Sequence, residues 1–93
     1  MLAIFYTERA KETLTSVHLF IEGKFGVKTA IKFLLKADKI VKLIADQPYI
    51  FRTSSFENSV RVALISKQTS MYYRVTEDAI HLLFFWDNRQ DPF

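Results

Sequence analysis

The spacing of the apolar residues changes at Pro48 from a helical period to a strand-like one. Before Pro48, apolar side chains recur every three or four residues, as they do on the buried face of an α-helix. After Pro48, apolar and polar side chains tend to alternate, which is typical of strands with one buried face. A chain with this pattern must pack helices from its first half against a sheet from its second half.

The first half predicts one strand followed by two helices. The apolar and aromatic run from Leu2 to Tyr6 predicts a fully buried strand. Thr7 can cap a helix, which is expected to end near Gly23, and the segment 23–26 then turns the chain back. The second helix is expected to run to about Ala45 and to bury Ala30, Phe33, Leu34, Ala37, Ile40, Val41 and Ile44.

The second half predicts three strands, at 60–66, 71–76 and 79–86. The segments between them are so short that they fit only hairpins, so the three strands form an antiparallel meander. The expected order is β-α-α-β-β-β in a single α+β domain over residues 1–93. In it, a helical hairpin packs on a mostly antiparallel twisted sheet.

Composition and motifs exclude several classes of protein. The chain has no Cys, which excludes disulfides and thiolate chemistry, and its two Gly are too few for a glycine-rich phosphate loop. No catalytic triad or metal-ligand spacing is present, so neither a metal nor a cofactor is expected. The apolar run 82–86 is far shorter than a membrane helix, and the N-terminus has no secretion signal. These features predict a cytoplasmic protein without membrane contact.

The net charge of +3 conceals an uneven distribution. Residues 1–45 hold eight Lys or Arg and four acids, whereas residues 46–93 hold five and six. At 100° per residue, six lysines form one stripe roughly 120° wide: Lys24, Lys28, Lys32, Lys36, Lys39 and Lys42. The lysines by themselves need no partner, because they are typical of a solvent-exposed helix face. Leu35 and Leu43 project into the same sector, which favours a bound nucleic acid or acidic partner.

A second basic surface is predicted on the sheet. In strand 60–66, the side chains expected to face the helices are those at the even positions, Val60, Val62 and Leu64. In the last strand, the side chains of His81, Leu83 and Phe85 are expected to share the face away from the helices. The outer face then collects Arg61, Lys67, Tyr72, Arg74 and His81, with Arg89 just beyond the last strand. Such a face can bind the phosphates of a nucleic acid and stack a base on the tyrosine, or it can bind an acidic peptide. The simpler interpretation is that these side chains only pair with their cross-strand neighbours on a solvent-exposed face.

The order of motifs resembles one protein family over essentially the whole chain. The C-terminal third has a tyrosine-bearing strand (Tyr72, Tyr73), an acidic turn at 77–78, an apolar strand at 80–85 and then Trp86, Asp87, Arg89 and Pro92. The first half adds a helix with Ala10 and Leu14 and a glycine-containing hairpin turn. Together these resemble the RelE/ParE superfamily of bacterial toxins from type II toxin–antitoxin systems.

The resemblance implies a growth-inhibiting, plasmid-stabilising toxin that a cognate antitoxin neutralises. In such a pair the antitoxin wraps the helical hairpin and the sheet. Its expected contacts are Lys28, Lys32, Leu35, Lys36, Lys39 and Leu43. The expected contacts with the target are Arg61, Lys67, Tyr72, Arg74, His81 and Arg89.

The resemblance leaves two targets open. RelE-like toxins cleave mRNA in the ribosomal A site with Arg, Lys and Tyr side chains, whereas ParE-like toxins inhibit DNA gyrase without hydrolysis. For RNA cleavage, the expected phosphate and transition-state contacts are Arg61, Lys67, Arg74 and Arg89, and His81 or Tyr72 is the proton carrier. A third possibility is an interaction domain that kept the fold and lost toxicity.

Three departures favour the ParE-like interpretation. Ser70 occupies the place of an arginine that RelE-like nucleases carry near the start of the second meander strand. The net positive charge is low for a ribosome-directed nuclease. The sequence ends at Phe93, without the C-terminal helix in which nuclease members often carry a catalytic tyrosine. DNA gyrase is therefore the favoured target. Whether the protein is an enzyme stays open: the ParE-like interpretation implies no catalytic activity, and the RelE-like alternative implies an endoribonuclease.

Overall fold

The computed structural model describes residues 1–89. Its elements are β1 (Ala3–Tyr6), α1 (Glu8–Phe25), α2 (Val27–Asp46), β2 (Val60–Ser66), β3 (Thr69–Val75) and β4 (Ala79–Asp87). The predicted β-α-α-β-β-β order and the α+β class are confirmed. Pro92, the last residue of the C-terminal motif, lies outside the described residues.

Thr7 caps α1, as the sequence predicts: its Oγ1 accepts a hydrogen bond from the amide of Ala10 at 3.1 Å. The predicted end near Gly23 is wrong, because α1 continues to Phe25 and turns at Gly26. Gly26 has φ +94°, which residues with a side chain rarely adopt. Gly23 keeps helical geometry, so Gly26 alone sets the turn.

The helix α2 lies with its apolar stripe on the sheet. Ala30, Phe33, Ala37, Val41 and Ile44 are buried, and Leu34 and Ile40 pack against the core, which confirms the predicted set. This helix ends at Asp46, one residue beyond the predicted end. Neither helix in residues 1–89 combines the length and apolar character needed to span a bilayer.

The four strands form one mixed sheet in the order β1-β4-β3-β2. β1 is parallel to β4, and the other two pairs are antiparallel. β1 is an edge strand, and Phe5 within it is 54% exposed, so the predicted full burial of this strand is wrong. Within β1, Ile4 packs against the core, because it lies beside the core residue Ile80, whereas Phe5 lies beside His81 on the opposite face.

The odd positions of β2 face the helices. Ala63 and Ile65 belong to the core together with Met71, Tyr73, Ile80, Leu82 and Phe85. The prediction that Val60, Val62 and Leu64 face the helices is therefore wrong. Both faces of this strand are apolar, so alternation alone cannot orient it.

A register shift between Tyr72 and Tyr73 changes the alternation of β4. Tyr73 pairs with Leu82 and Tyr72 with Phe84, so Leu83 is the extra residue. Phe85 consequently turns into the core, and Phe84 takes the outer face with His81. The predicted placement of Phe85 beside His81 is wrong for this reason.

The first half of α1 is fastened to β4 where β1 ends. The hydroxyl of Thr7 lies 2.8 Å from the carbonyl oxygen of Leu82 and 3.0 Å from that of Leu83. The hydroxyl of Thr13 accepts a hydrogen bond of 2.9 Å from the amide of Phe85. α1 thus satisfies backbone groups of β4 that β1 is too short to reach.

Candidate functional site

The outward side of α2 carries the predicted lysines, and we call it the lysine face: Lys28, Lys32, Leu35, Lys36, Lys39 and Lys42. Leu35 is 65% exposed, and Ile31, one turn earlier, is exposed beside it. Sequence reasoning missed Ile31, although its spacing of four from Leu35 indicates the same face. Leu43 is half-buried at one side.

Two charged neighbours modify this face. Asp38 forms an ion pair with Lys42 at 2.8 Å, and the hydrogen bond between them raises the pKa of Lys42. Lys24 lies in the last turn of α1, with its Nζ 5.6 Å from the ring centroid of Phe20. The predicted six-lysine stripe therefore holds for the five lysines of α2, because the turn at Gly26 separates Lys24 from them.

Arg61 lies on the helix-facing side of the sheet, so its predicted place on the outer face is wrong. Its cross-strand partner is the buried Tyr73. Its Nη1 donates a hydrogen bond of 2.6 Å to the carbonyl of Phe51, and its Cζ lies 4.9 Å from the ring centroid of Tyr49. Arg61 therefore holds the connection between α2 and β2 against the sheet.

Tyr73 fastens the same connection. Its hydroxyl donates a hydrogen bond of 3.1 Å to the carbonyl of Pro48. Burial raises the pKa of Tyr73 to about 12, which the nearby charge of Arg61 partly offsets. Tyr73 is therefore a neutral structural residue at physiological pH.

The side of the sheet away from the helices is called here the outer face. Three cross-strand rows form it: Val60, Arg74, His81 and Phe5; Val62, Tyr72 and Phe84; and Leu64, Ser70 and Trp86. The predicted grouping of Tyr72, Arg74 and His81 on one face is confirmed. Lys67 lies exposed in the turn between β2 and β3.

Aromatic side chains pack on one another along the outer face, and we call Phe56, Tyr72, Phe84 and Trp86 the aromatic row. Tyr72 stacks on Phe84 with 4.7 Å between centroids, and Phe56 lies 5.6 Å from Tyr72. Trp86 meets Phe84 edge-on at 6.5 Å. Arg9, from the first turn of α1, has its Cζ 4.3 Å from the Phe84 centroid. Sequence reasoning placed neither Arg9 nor Phe56 here, because neither lies on a sheet strand.

The two polar residues of the first row also have partners. Nη2 of Arg74 lies 3.2 Å from Oε1 of Glu57. The ring of His81 stacks on Phe5 with 5.6 Å between centroids. Both contacts stabilise the sheet, as the simpler interpretation of these residues requires.

Arg89 is bound by the acid two residues before it. Its Nε and Nη2 donate hydrogen bonds of 2.9 and 2.8 Å to the two carboxylate oxygens of Asp87. This pair holds the pKa of Asp87 below its usual range. Arg89 also lies over the ring of Phe20, on the helix-facing side, so its predicted grouping with Tyr72 and His81 is wrong.

Ser70 is buried in the third row and donates a hydrogen bond of 2.9 Å to Oδ1 of Asn88.

On the other side of the sheet, a groove of about 410 Å³ separates the second half of α1 from the end of β4. Its apolar lining includes Val17, Phe20, Ile21, Phe25 and Phe85. Within residues 1–89, no three His, Asp or Glu side chains lie close enough together to hold a metal ion.

Comparison with known proteins identifies the architecture. No protein-family model matches the sequence, and no curated protein matches it. A chain of the chromosomal ParDE TA system from P. aeruginosa matches with a TM-score of 0.79 and 20% identity, covering 94% of this chain and 96% of that one. The chain has the RelE/ParE toxin fold.

Two further structures with the RelE/ParE toxin fold extend this comparison. A copper-bound mutant toxin from Helicobacter pylori is 14% identical with a TM-score of 0.67, covering 96% of this chain and 97% of that one. The YoeB dimer from Staphylococcus aureus is 16% identical with a TM-score of 0.62, covering 89% and 92%. The resemblance noted in the sequence is thus confirmed as a likeness of fold along the chain.

Proposed function

We propose that this protein is the toxin of a type II toxin–antitoxin system, which inhibits growth by binding a macromolecular target and is neutralised by a cognate antitoxin. The observation that carries the proposal is the RelE/ParE fold, shared over nearly the whole chain with the structures of a toxin–antitoxin system and of a toxin.

The antitoxin binds the lysine face in this proposal. Five lysines lie there, of which Lys42 is paired with Asp38, and exposed Leu35 and Ile31 lie among them. A segment with acidic residues around apolar ones complements this surface in charge and in apolar contact. The expected contacts are Lys28, Lys32, Leu35, Lys36, Lys39 and Leu43, joined by Ile31.

DNA gyrase is the favoured target, and three features argue against RNA cleavage. Ser70, at the place of a nuclease arginine, is buried and hydrogen-bonded. Arg89 is neutralised by Asp87, and Arg61 faces the core side. Cations that stabilise a phosphate transition state must be directed at the developing charge, and these two are directed elsewhere. Lys67, Tyr72, Arg74 and His81 remain as target contacts.

A ribosome-dependent mRNA interferase is the second candidate. It is supported by the shared face of Tyr72, Arg74 and His81, which can contact phosphate and exchange a proton. A non-toxic interaction domain with the same fold is the third candidate.

Inducible expression in a bacterial host tests the toxin role. We expect growth arrest that co-expression of the product of the adjacent gene relieves. Healthy growth with soluble, folded protein would refute it and favour the non-toxic domain. Blocked supercoiling with intact mRNA identifies gyrase as the target, whereas cuts at codon boundaries identify the nuclease.

The double variant Lys32→Glu/Lys39→Glu tests the antitoxin surface. It should keep growth arrest but lose rescue, because it places two acids against an acidic partner. Leu19→Asp, on the exposed side of α1, should keep both properties. Full rescue of the double variant would show that the antitoxin binds elsewhere.

A further inference from the structure

The groove between the second half of α1 and the sheet has exposed apolar side chains on its helical wall. Val17, Ile21 and Phe85 form part of its lining and belong to the core or pack against it. Phe20 and Phe25 also line the groove, but they are 46% and 57% exposed. An amphipathic helix normally turns its large apolar side chains to the core. Two exposed phenylalanines beside an open groove therefore indicate a binding surface.

The sheet supplies a polar wall to the same groove. Ser66, Thr69 and Asp87 lie side by side across the ends of β2, β3 and β4, and all three line the groove. A site with an apolar wall and a few polar groups beside it binds an apolar side chain and fixes its orientation through hydrogen bonds.

Two lysines border the groove. Lys24, in the last turn of α1, has its Nζ 5.6 Å from the ring centroid of Phe20 and 5.9 Å from that of Phe25. Lys67 is exposed in the β2–β3 turn, next to the lining residue Gln68. Within residues 1–89, neither lysine forms an ion pair with a carboxylate. Both charges are therefore available to a partner.

The acids near the groove do not offset these charges. Asp87 lines it, but Arg89 donates hydrogen bonds to both of its carboxylate oxygens. Glu22 lies on the opposite side of α1 from Lys24, with its carboxylate 4.0 Å from Nε2 of His18. The border of the groove thus has a positive charge that complements a partner with acidic residues.

Two observations favour the target over the antitoxin as this partner. Arg89 lines the groove and Lys67 lies at its border, and the sequence predicts both as target contacts. The predicted antitoxin contacts all lie on α2, whereas the helical wall of the groove belongs to α1. A nucleic acid needs a row of cations for its phosphates. Two lysines beside phenylalanines instead suit a protein.

We propose that the groove binds an apolar side chain of the target protein, and that acidic residues next to this side chain contact Lys24 and Lys67. Phe20 and Phe25 provide the apolar contact. This inference rests on the proposed function, which requires a macromolecular target.

Phe25→Asp and Leu19→Asp are a matched pair of variants in the second half of α1. Each places an acid at an exposed apolar position, but Phe25 lines the groove, whereas Leu19 is 59% exposed on the solvent side of the helix. Both variants should fold, as circular dichroism and thermal melting will show. Phe25→Asp should need about 10-fold more protein for growth arrest, and Leu19→Asp should behave as wild type. The product of the adjacent gene should still rescue cells that express Phe25→Asp.

Charge reversal tests the border of the groove without changing its apolar lining. Lys67→Glu should weaken growth arrest in the same direction as Phe25→Asp, because both oppose an acidic partner. Lys11→Glu, in the first half of α1, makes the same change away from the groove and should behave as wild type. Because Lys67 is exposed in a turn, Lys67→Glu decides the question if Phe25→Asp does not fold.

Each contrary outcome is distinct. Growth arrest by folded Phe25→Asp and Lys67→Glu at the wild-type dose would overturn the proposal. Arrest without rescue in Phe25→Asp would make the antitoxin the occupant of the groove. In fluorescence anisotropy, tight binding of a roughly 20-nucleotide single-stranded RNA that Lys67→Glu abolishes would replace the protein partner by a nucleic acid. A wild-type dimer in sedimentation that Phe25→Asp dissociates would make a second copy the occupant. If wild type leaves growth unaffected, the proposed function itself fails, and this inference with it.

Discussion

Arg61→Met removes the guanidinium that ties the connection after α2 to the sheet, and we expect it to lower the free energy of unfolding by about 2–4 kcal/mol. The hydrogen bond from Nη1 to the carbonyl of Phe51, 2.6 Å long, has a charged donor and contributes about 1.5–3 kcal/mol. The contact with the Tyr49 ring adds about 0.5–1 kcal/mol. Methionine keeps an unbranched apolar stem, so little packing is lost.

Arg74→Met is the matched control on the neighbouring strand. Arg74 pairs with Glu57 on the outer face, and its side chain is 41% exposed, so the pair contributes about 0–1 kcal/mol. In urea denaturation with a slope of about 1 kcal/mol per molar, the midpoint should fall by about 2 M or more for Arg61→Met and by less than about 1 M for Arg74→Met.

Equal midpoint shifts in the two variants would refute the structural role of Arg61. If Arg61→Met has wild-type stability but no longer arrests growth, Arg61 contacts the target, as the sequence predicts. The charge of Arg61 lowers the pKa of Tyr73, so the variant should also raise that pKa further, which ultraviolet titration measures.

Three further predictions concern single side chains. Folding raises the pKa of Tyr73 from 10.0 to about 12, so neutral Tyr73 contributes about 2.7 kcal/mol to the free energy of unfolding. This contribution should be fully present below pH 10 and should be lost as the pH rises through 12. Alkaline denaturation should show the loss, and Tyr73→Phe should lack it. Asp87→Asn removes the carboxylate that pairs with Arg89, so Arg89 becomes available for a phosphate contact. The plot of log binding constant for RNA against log salt concentration should become steeper by about one unit. An unchanged slope would mean that Arg89 does not contact RNA. Thr7→Ala should cost about 1–2 kcal/mol by thermal denaturation, whereas the exposed Thr15→Ala should cost almost nothing, and equal losses would contradict the capping role.

The order of the elements could be predicted because each signal is local. Thr7 caps the helix that follows it, and Pro48 ends the second helix region, so neither signal depends on distant residues. The helix end at Gly26 was harder to place, because Gly23 also allows a turn. Only the backbone shows which of the two glycines has the positive φ.

The faces of the strands could be predicted only in part. Val60 and Val62 are buried on the outer face although neither α1 nor α2 covers them, because the aromatic row and the connection before β2 lie over that side. An apolar residue on β2 therefore does not identify the helix side. The register shift at Tyr73 then reverses the alternation of β4, and a period of two cannot reveal such a shift.

The residues of the candidate site could also be placed only in part. Tyr72, Arg74 and His81 share a face because regular alternation places them there. Arg61 and Arg89 were misplaced because their partners do not follow the strand period. One partner is the carbonyl of Phe51 in an irregular connection, and the other is a carboxylate two residues earlier.

The parallel pairing of β1 with β4 has a consequence for the order in which the protein forms during translation. Ala3 lies beside Ala79, so the sheet cannot close until the last strand has been synthesised. The two helices are complete at Asp46, much earlier in the chain, and pack against each other as well as on the sheet. Under the proposed function, an antitoxin that recognises α2 could therefore bind the nascent chain before the outer face has been assembled, and neutralisation could precede toxicity.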